Sequence, residues 1–228
     1  MIISDSRTGS TLLMQRLNIN PEILAFGEEF KNLNDKSCHR IWDKIYRKRP
    51  KEVKWVGFKL FYFHHRKSKD RKVWDFIQSH KGITIIHLTR RNILRSYVSK
   101  QIGLKTRPWT ENIASINKLN NNEKKVELDP DACREPFENI SDYIEQTERR
   151  FENYKIIPVV YEELDKNKQA SMNKLEVEPI EVSTYMKKQN PEKSEDLFIN
   201  FLELKKEFSG TKWEHLFKLE DLGFNERQ

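Results

Sequence analysis

Short apolar runs alternate along the chain with longer segments in which apolar residues recur every three or four positions. The apolar runs are typical of buried strands and occupy residues 1–5, 53–63, 83–88 and 156–161. Helical spacing predicts helices over residues 10–17, 36–48, 69–80, 93–101, 129–151, 162–175, 194–208 and 211–219. Strands that alternate with helices predict right-handed crossovers, and hence a parallel sheet covered by helices on both faces. We therefore expect an α/β fold, a three-layer sandwich around one central parallel sheet.

Two segments interrupt this pattern. Residues 21–27 begin with Pro21 and end with Gly27, and we expect them to form a loop that leads to Glu28 and Glu29. Residues 105–125 are rich in asparagine and weakly periodic, which predicts an exposed loop insertion. No internal repeat or low-complexity linker divides the sequence, so we expect a single domain over residues 1–228.

The chain is highly charged, because its 228 residues include 42 Lys and Arg against 35 Asp and Glu, a net charge of +7. An aromatic content of 11% argues against disorder, and no apolar run approaches the roughly 20 residues of a membrane-spanning helix. Cys38 and Cys133 lack the spacing of a disulfide framework or a zinc site, and no signal peptide precedes the first strand. We therefore expect a cytoplasmic protein whose positive charge suits nucleic acid, an anionic membrane, a polyanion or a phosphorylated ligand.

Residues 6–11, with the sequence Ser-Arg-Thr-Gly-Ser-Thr, lie where the first predicted strand meets the first predicted helix. Ligands of parallel sheets bind beyond the carboxyl ends of the strands, so this turn is a candidate anion site. Gly9 allows successive N–H groups to face one point, and Ser10 and Thr11 add hydroxyl donors at a helix N-terminus. Arg7 adds a fixed charge that can contact two oxygens of an anion. The same residues are also compatible with an ordinary helix cap beside a solvated arginine.

This turn departs from the loop of nucleotide triphosphatases. Their pattern requires a lysine directly after the last glycine, where it contacts the terminal phosphates. Ser10 occupies that position here, and the cation, Arg7, lies before the glycine instead. The sequence therefore argues against ATP or GTP hydrolysis, although a phosphotransferase with a degenerate loop stays open as another enzyme class.

A second basic motif follows the predicted strand over residues 83–88. Arg91 would lie at the carboxyl end of that strand, and Ser99 about two turns along the next helix on a similar face. A guanidinium and a hydroxyl placed in this way can converge on a second phosphate. The alternative is a basic amphipathic helix with solvated arginines.

Together the two segments resemble the sulfotransferases that use 3′-phosphoadenosine 5′-phosphosulfate (PAPS). Residues 6–13 resemble the 5′-phosphosulfate loop of that family, and residues 91–99 resemble its 3′-phosphate motif, in which Asn92 takes the usual position after the arginine. Shorter stretches are similar to further segments of the bacterial and carbohydrate sulfotransferases, in the same order along the chain: residues 27–30, 57–60, 160–164, 188–200 and 210–211. The resemblance implies a P-loop-like fold over the whole chain.

The resemblance also implies a reaction and a set of donor contacts. A sulfonyl group would pass from PAPS to a hydroxyl by metal-independent in-line displacement, with adenosine 3′,5′-bisphosphate (PAP) as the product. Arg7 would neutralise the sulfonate and the bridging oxygen. The 3′-phosphate would lie between Arg91 and Ser99, and Lys188, in a basic loop, would close over it. The 5′-phosphate would be held by backbone groups of the turn, namely those of Thr8, Gly9, Ser10 and Thr11.

The acceptor hydroxyl requires a base, for which the resemblance offers more than one residue. The Gly-Glu segment of the bacterial and carbohydrate members implies Glu28, with its neighbour Glu29 as a rival. Cytosolic members instead use a histidine two positions after a strand lysine; Phe61 stands two positions after Lys59 here, and His64 is close by. We favour Glu28 and keep His64 as the alternative base.

The expected partner is a small-molecule, carbohydrate or lipid hydroxyl compound, and we expect no nucleic acid and no transmembrane segment. The unassigned positive charge between residues 40 and 72 leaves an acidic acceptor open. A different, non-enzymatic interpretation is a binder of nucleic acid or another polyanion, which the basic runs at residues 46–51 and 64–69 favour. We expect residues 105–125 to lie on the acceptor side.

Overall fold

The structure is a computed structural model that describes residues 1–31, 33, 37–64, 72–106, 125–166 and 194–221. Within these ranges the chain forms one five-stranded sheet in which every neighbouring pair is parallel. The strand order is β2-β3-β1-β4-β5. In chain order the strands are β1 (Ile2–Ser4), β2 (Ile23–Phe26), β3 (Trp55–Phe61), β4 (Ile85–Thr89) and β5 (Ile156–Val160).

Helices follow the strands, as the alternating pattern predicts. The described residues contain α1 (Ser10–Ile19), α2 (Cys38–Tyr46), α3 (Lys72–Gln78), α4 (Ile93–Thr106), α5 (Pro130–Arg150), α6 (Tyr161–Lys166), α7 (Ser194–Leu197), α8 (Phe201–Glu207) and α9 (His215–Asp221). Asp129 precedes α5 and accepts a hydrogen bond from the backbone of Asp131, so an aspartate cap and Pro130 start this helix.

The chain divides into two compact units, Met1–Arg91 with Tyr143–Thr184, and Asn92–Asp142 with Tyr185–Gln228. The single domain expected for residues 1–228 stays a prediction. The first unit contains all five strands. The second contains α4, most of α5, and α7 to α9, packed on one apolar cluster that includes Phe137, Phe208 and Phe217.

Apolar layers cover both faces of the sheet in the first unit, because successive strand residues point to opposite sides. Ile2 packs in a cluster with Leu13 of α1 and Leu164 of α6. Its neighbour Ile3 packs in a second cluster with residues of α2 and α3. The expected α/β three-layer sandwich around a parallel sheet is therefore confirmed.

The register brings the carboxyl ends of the strands to one edge. Ser4, the last residue of β1, lies opposite Phe61 of β3 and Leu88 of β4, and Leu88 in turn lies opposite Val159 of β5. The residues that follow these strands, 5–9, 62–64, 90–91 and 161–163, consequently emerge at the same edge of the sheet.

The prediction of a loop over residues 21–27 is wrong, because Ile23–Phe26 forms strand β2 and pairs with β3. Four apolar residues are too few to show a period, and the strand depends on partners that lie elsewhere in the chain. On its outer side, Asn18 of α1 uses its amide both to accept from and to donate to the backbone of Ala25. The N–H and the carbonyl of Ala25 therefore both have a hydrogen-bond partner on the side of β2 that faces away from β3.

The tail differs from the single helix expected over residues 194–208. The helix is interrupted between Leu197 and Phe201, where Phe198 forms a parallel bridge with Val126. The Asn200 side chain donates to and accepts from the backbone of Leu128, as a strand neighbour would. Of the expected insertion at residues 105–125, α4 includes the start, and residues 107–124 lie outside the described residues.

Candidate active site

The turn between β1 and α1, residues 5–11, is the candidate anion loop. The Thr8 hydroxyl donates to the backbone carbonyl of Asp5 at 2.7 Å and closes the turn on itself. Gly9 is the N-cap of α1, in a left-handed conformation with φ of 80°, and as a glycine it offers the first N–H groups of this helix no side-chain acceptor. The anion loop therefore presents a helix N-terminus that an anion can cap.

Glycine is required at position 9 for two independent reasons. Its positive φ is unfavourable for any residue with a Cβ. In addition, a Cβ built on Gly9 would overlap the ring of Tyr161, the first residue of α6. The aromatic ring thus lies directly against the backbone of the anion loop.

Arg7 also has a left-handed backbone, with φ of 63°, which is uncommon for a residue other than glycine. Its carbonyl oxygen accepts a hydrogen bond from Nη1 of Arg90 at 3.0 Å. Burial and the nearby charge of Arg90 lower the pKa of Arg7, although a guanidinium stays protonated at any physiological pH. Two arginines are therefore gathered at the anion loop.

Arg90 follows β4 directly, and the start of α6 fixes its side chain. Its guanidinium carbon lies 4.5 Å from the centre of the Tyr161 ring, in cation–π contact. Its Nε lies 4.0 Å from Oε1 of Glu162. Residues after three different strands, β1, β4 and β5, therefore meet around one arginine.

The hydroxyls of Ser4 and Ser6 are buried and have no hydrogen-bond partner within the part of the chain that the structure describes. Ser4 ends β1, and Ser6 lies in the anion loop itself. A buried hydroxyl without a partner is costly, so it is uncommon in folded proteins away from functional sites. An oxygen-rich anion bound in the loop is one way to satisfy such a group.

Lys59 of β3 is buried and links the anion loop to the candidate base. Its Nζ donates to the Thr11 hydroxyl at 3.0 Å and lies 3.3 Å from Oε1 of Glu28. A buried ammonium group needs such partners to offset the loss of its hydration. Lys59 therefore places a positive charge between the helix N-terminus and the carboxylate.

Glu28 and His64, the two alternative bases, form a pair. Nε2 of His64 lies 3.5 Å from Oε2 of Glu28. The backbone N–H of Phe61 donates to Nδ1 of His64, so the proton of the neutral ring must be on Nε2, which faces the carboxylate. The hydrogen bond with His64, assisted by the charges of Lys59 and Lys31, lowers the pKa of Glu28 to about 2.

Glu29 does not join this cluster. Its carboxylate pairs instead with Nζ of Lys44 in α2, at 3.0 Å. Of the two adjacent glutamates, Glu28 is thus the one next to the anion loop.

The predicted 3′-phosphate residues are less closely defined. Arg91 is exposed, and its Nη2 lies 2.6 Å from Oε1 of Glu163, while its backbone N–H donates to Glu162.

Ser99 is half-buried in α4 and belongs to the second unit, so its convergence with Arg91 stays a prediction. Lys188 lies outside the described residues. Asn92 caps α4 through its Oδ1, which accepts from the backbone of Arg95.

Sequence reasoning missed Arg90 and Tyr161 as members of the site and used Lys59 only as the reference point for a histidine. The doubled arginine at positions 90 and 91 was a visible signal, but the motif singles out only the second. Tyr161 is the last residue of the strand predicted over residues 156–161, where a side chain reaches the ligand edge of a parallel sheet.

Among the described residues, no group of three or more His, Cys, Asp and Glu side chains is arranged to hold a metal ion. None of the helices in the described ranges is long and apolar enough to cross a membrane. Comparison of the sequence with protein-family models and with curated proteins returned no match.

Proposed function

We propose that the protein is a sulfotransferase that moves a sulfonyl group from PAPS to a hydroxyl acceptor. The observation that supports this most directly is the position of Lys59, whose ammonium group contacts both Thr11 of the anion loop and Glu28. Group transfer requires the donor and the nucleophile to be held next to each other, in line. An anion loop and a carboxylate on either side of one lysine would hold the two groups next to each other.

The residues of the anion loop fit a phosphosulfate group. The N-cap of α1 is a glycine without a capping side chain, the buried Ser6 hydroxyl has no hydrogen-bond partner among the described residues, and Arg7 and Arg90 add two positive charges. The resemblance of residues 6–13 and 91–99 to the family motifs supports PAPS as the donor. When bound, the nucleotide supplies a sulfonyl group joined to its 5′-phosphate by an anhydride bond.

Arg7 and Lys59 would provide the electrostatic part of catalysis. Lys59 is fixed before the ligand arrives by Thr11 and Glu28, and Arg7 belongs to the anion loop itself. Preorganised charges in a partly buried site stabilise developing negative charge without reorganising at the moment of reaction. This arrangement does not require a metal ion at the loop.

Glu28 would act as the general base, with His64 and Lys59 orienting it. Its pKa of about 2 keeps the carboxylate ionised at neutral pH, so it can accept the proton of an acceptor hydroxyl at one of its oxygens. Nδ1 of His64 accepts a hydrogen bond from the backbone of Phe61, and Nε2 lies 3.5 Å from Oε2 of Glu28. His64 would therefore need to break a contact before it could take the proton.

The remaining donor contacts follow from the family resemblance. Arg91 and Ser99 would bind the 3′-phosphate, and Lys188 would close over it. Arg91 would then exchange its contact with Glu163 for the phosphate, or share it. The acceptor would be a small-molecule, carbohydrate or lipid alcohol, and the protein would work in the cytoplasm, where free cysteines such as Cys38 and Cys133 stay reduced.

The first test is isothermal titration calorimetry of the full chain with PAP, with and without magnesium, and with ATP plus magnesium for comparison. The proposal expects PAP to bind equally well in both buffers and more tightly than ATP. Binding of ATP with magnesium alone would instead favour the phosphotransferase, and the absence of PAP binding up to millimolar concentration would overturn the proposal.

Turnover is then measured with [35S]PAPS and pooled sugars, phenols, lipids and acidic alcohols as acceptors. Labelled product should form from at least one pool, and the label should be lost from all of them when Glu28 is replaced by glutamine. A nucleic-acid or polyanion binder would instead show affinity for DNA that falls steeply with salt and no labelled product.

A further inference from the structure

We infer that Arg90 is a positioning residue of the donor site, which holds the left-handed backbone of Arg7 and thereby shapes the anion loop. The inference rests on the proposed function in one respect, namely that the loop binds the 5′-phosphate of the donor. The central contact is the hydrogen bond from Nη1 of Arg90 to the Arg7 carbonyl, at 3.0 Å.

The backbone of Arg7 needs such a restraint. At φ of 63° a residue with a Cβ is held in a sparsely populated conformation, which persists only when its surroundings fix it. Residues 8 and 9 follow immediately, and their backbone orients the N–H groups at the start of α1. If Arg7 relaxed to a negative φ, these groups would turn away from a common point.

Arg90 can restrain Arg7 because it is itself fixed from the other side. Its side chain is 14% exposed and lies between the Tyr161 ring, at 4.5 Å, and the carboxylate of Glu162, at 4.0 Å. The same ring excludes a side chain at Gly9. The beginning of α6 therefore fixes the loop after β1 at two points, directly at Gly9 and through Arg90 at Arg7.

The positive charges of Arg7 and Arg90 also affect which ligand the loop prefers. Without an anion, the guanidinium groups of Arg7 and Arg90 repel each other, and a bound dianion removes that repulsion. The hydrogen bond from Arg90 to the Arg7 carbonyl keeps this charge at the loop, where it attracts an anion. This arrangement favours a doubly charged group over a singly charged one.

The inference is tested by a double-mutant cycle of Arg90→Ala with Arg7→Gly, because glycine adopts a positive φ without strain. PAP binding is followed by calorimetry, and the free energy of unfolding of the ligand-free protein by urea titration. Arg90→Ala should weaken PAP binding about tenfold or more, as expected for the loss of a charged hydrogen bond. Arg90→Ala should therefore lower both the affinity for PAP and the free energy of unfolding. Each of these two losses should be clearly smaller when residue 7 is already glycine.

Two further variants sharpen the test. Arg90→Lys keeps the charge but cannot stack and donate in the same way, so it should recover only part of the affinity. Arg149→Ala removes an exposed arginine paired with Glu145 in the same unit, and should leave the affinity for PAP unchanged.

Each result has a definite meaning. If Arg90→Ala binds PAP as tightly as the wild type, or if it loses the same affinity with arginine and with glycine at position 7, the positioning role is overturned while the proposed function stands. If the wild type does not bind PAP, the proposed function is overturned, and the unfolding cycle alone decides whether Arg90 restrains Arg7.

Discussion

Nε2 of His64 lies 3.5 Å from Oε2 of Glu28, so the two residues that the sequence offers as alternative bases form one pair. The backbone of Phe61 occupies the other ring nitrogen and directs the N–H of His64 toward the carboxylate. The pair therefore has an internal order, in which histidine donates and glutamate accepts. Only the glutamate retains lone pairs available to an incoming hydroxyl.

Replacement of Glu28 should separate catalysis from donor binding. Glu28→Gln keeps the size of the side chain but removes the proton acceptor, so sulfonyl transfer should fall about 100-fold or more, while the affinity for PAP is retained. The rate of [35S]sulfonyl transfer and calorimetry with PAP measure the two effects. The control is Glu29→Gln, which alters the neighbouring glutamate that pairs with Lys44 and should leave the rate unchanged. Full activity of Glu28→Gln would contradict the assignment of the base.

Replacement of His64 should change the pH dependence of the reaction. The hydrogen bond from His64 is the main cause of the low pKa of Glu28, so His64→Ala should raise that pKa from about 2 toward the ordinary value near 4.5. The acid limb of the kcat/KM profile should then move to higher pH in the variant. If His64 were the base itself, the variant would lose activity at every pH, with no shifted limb.

Replacement of Lys59 should affect both halves of the site. Lys59→Met retains the buried stem but leaves Glu28 without its closest cation, which should lower the free energy of unfolding by about 1–3 kcal/mol and reduce transfer. Lys54→Met is the matched control, because Lys54 forms an exposed pair with Glu22, and such pairs contribute about 0–1 kcal/mol. Urea titration and the transfer assay compare the two variants. Equal losses in both would mean that Lys59 has no special role.

Gly9 and Gly210 offer a comparison of two glycines with similar backbone and different surroundings. Both have positive φ, 80° and 72°, but a Cβ at Gly210 would meet no atom within 4 Å, whereas one at Gly9 would overlap Tyr161. Gly210→Ala should therefore cost only the strain of the backbone, about 1–3 kcal/mol. Gly9→Ala should cost more in thermal unfolding and also abolish PAP binding, because Tyr161 or the loop must move.

The stability of the protein should depend on pH through His87, which burial holds neutral beside Tyr62, with Glu148 on its other side. Its pKa falls from 6.5 in the unfolded chain to about 4 in the folded protein. Between these values only the unfolded chain binds the proton, so the free energy of unfolding should decrease by roughly 3 kcal/mol as the pH falls from 6.5 to 4. Urea titrations across this range should show a flatter profile for His87→Gln. An identical profile would exclude His87 as the cause.

The predictable parts of the site are those that lie close together in sequence. Arg7, Gly9 and Thr11 belong to one strand-to-helix turn, and their spacing alone indicates an anion loop. Arg90 and Tyr161 reach that loop only because β4 lies beside β1 and β5 lies beside β4, an order that local patterns do not contain. Their contribution depends on tertiary structure and therefore escaped sequence reasoning.

The position of Glu28 also depends on tertiary structure. The backbone N–H of Lys59 donates to the carbonyl of Gly27 at 3.2 Å, which continues the pairing of β2 with β3 and sets Glu28 next to the lysine. Glu28, the glutamate that the sequence favours as the base, lies beside Lys59, but sequence reasoning expected a loop before it. The unrecognised strand is the element that brings Glu28 to the anion loop.

The anion loop and Glu28 follow strands at different positions in the sheet. Among the described residues, the anion loop follows β1, which has a neighbouring strand on each side, whereas Glu28 follows β2, an edge strand with one neighbour. Edge strands open at a lower free-energy cost than central ones. Under mild denaturing conditions the amides of β2 should therefore exchange with solvent before those of β1, and the protein should lose its acceptor chemistry while it still retains the nucleotide.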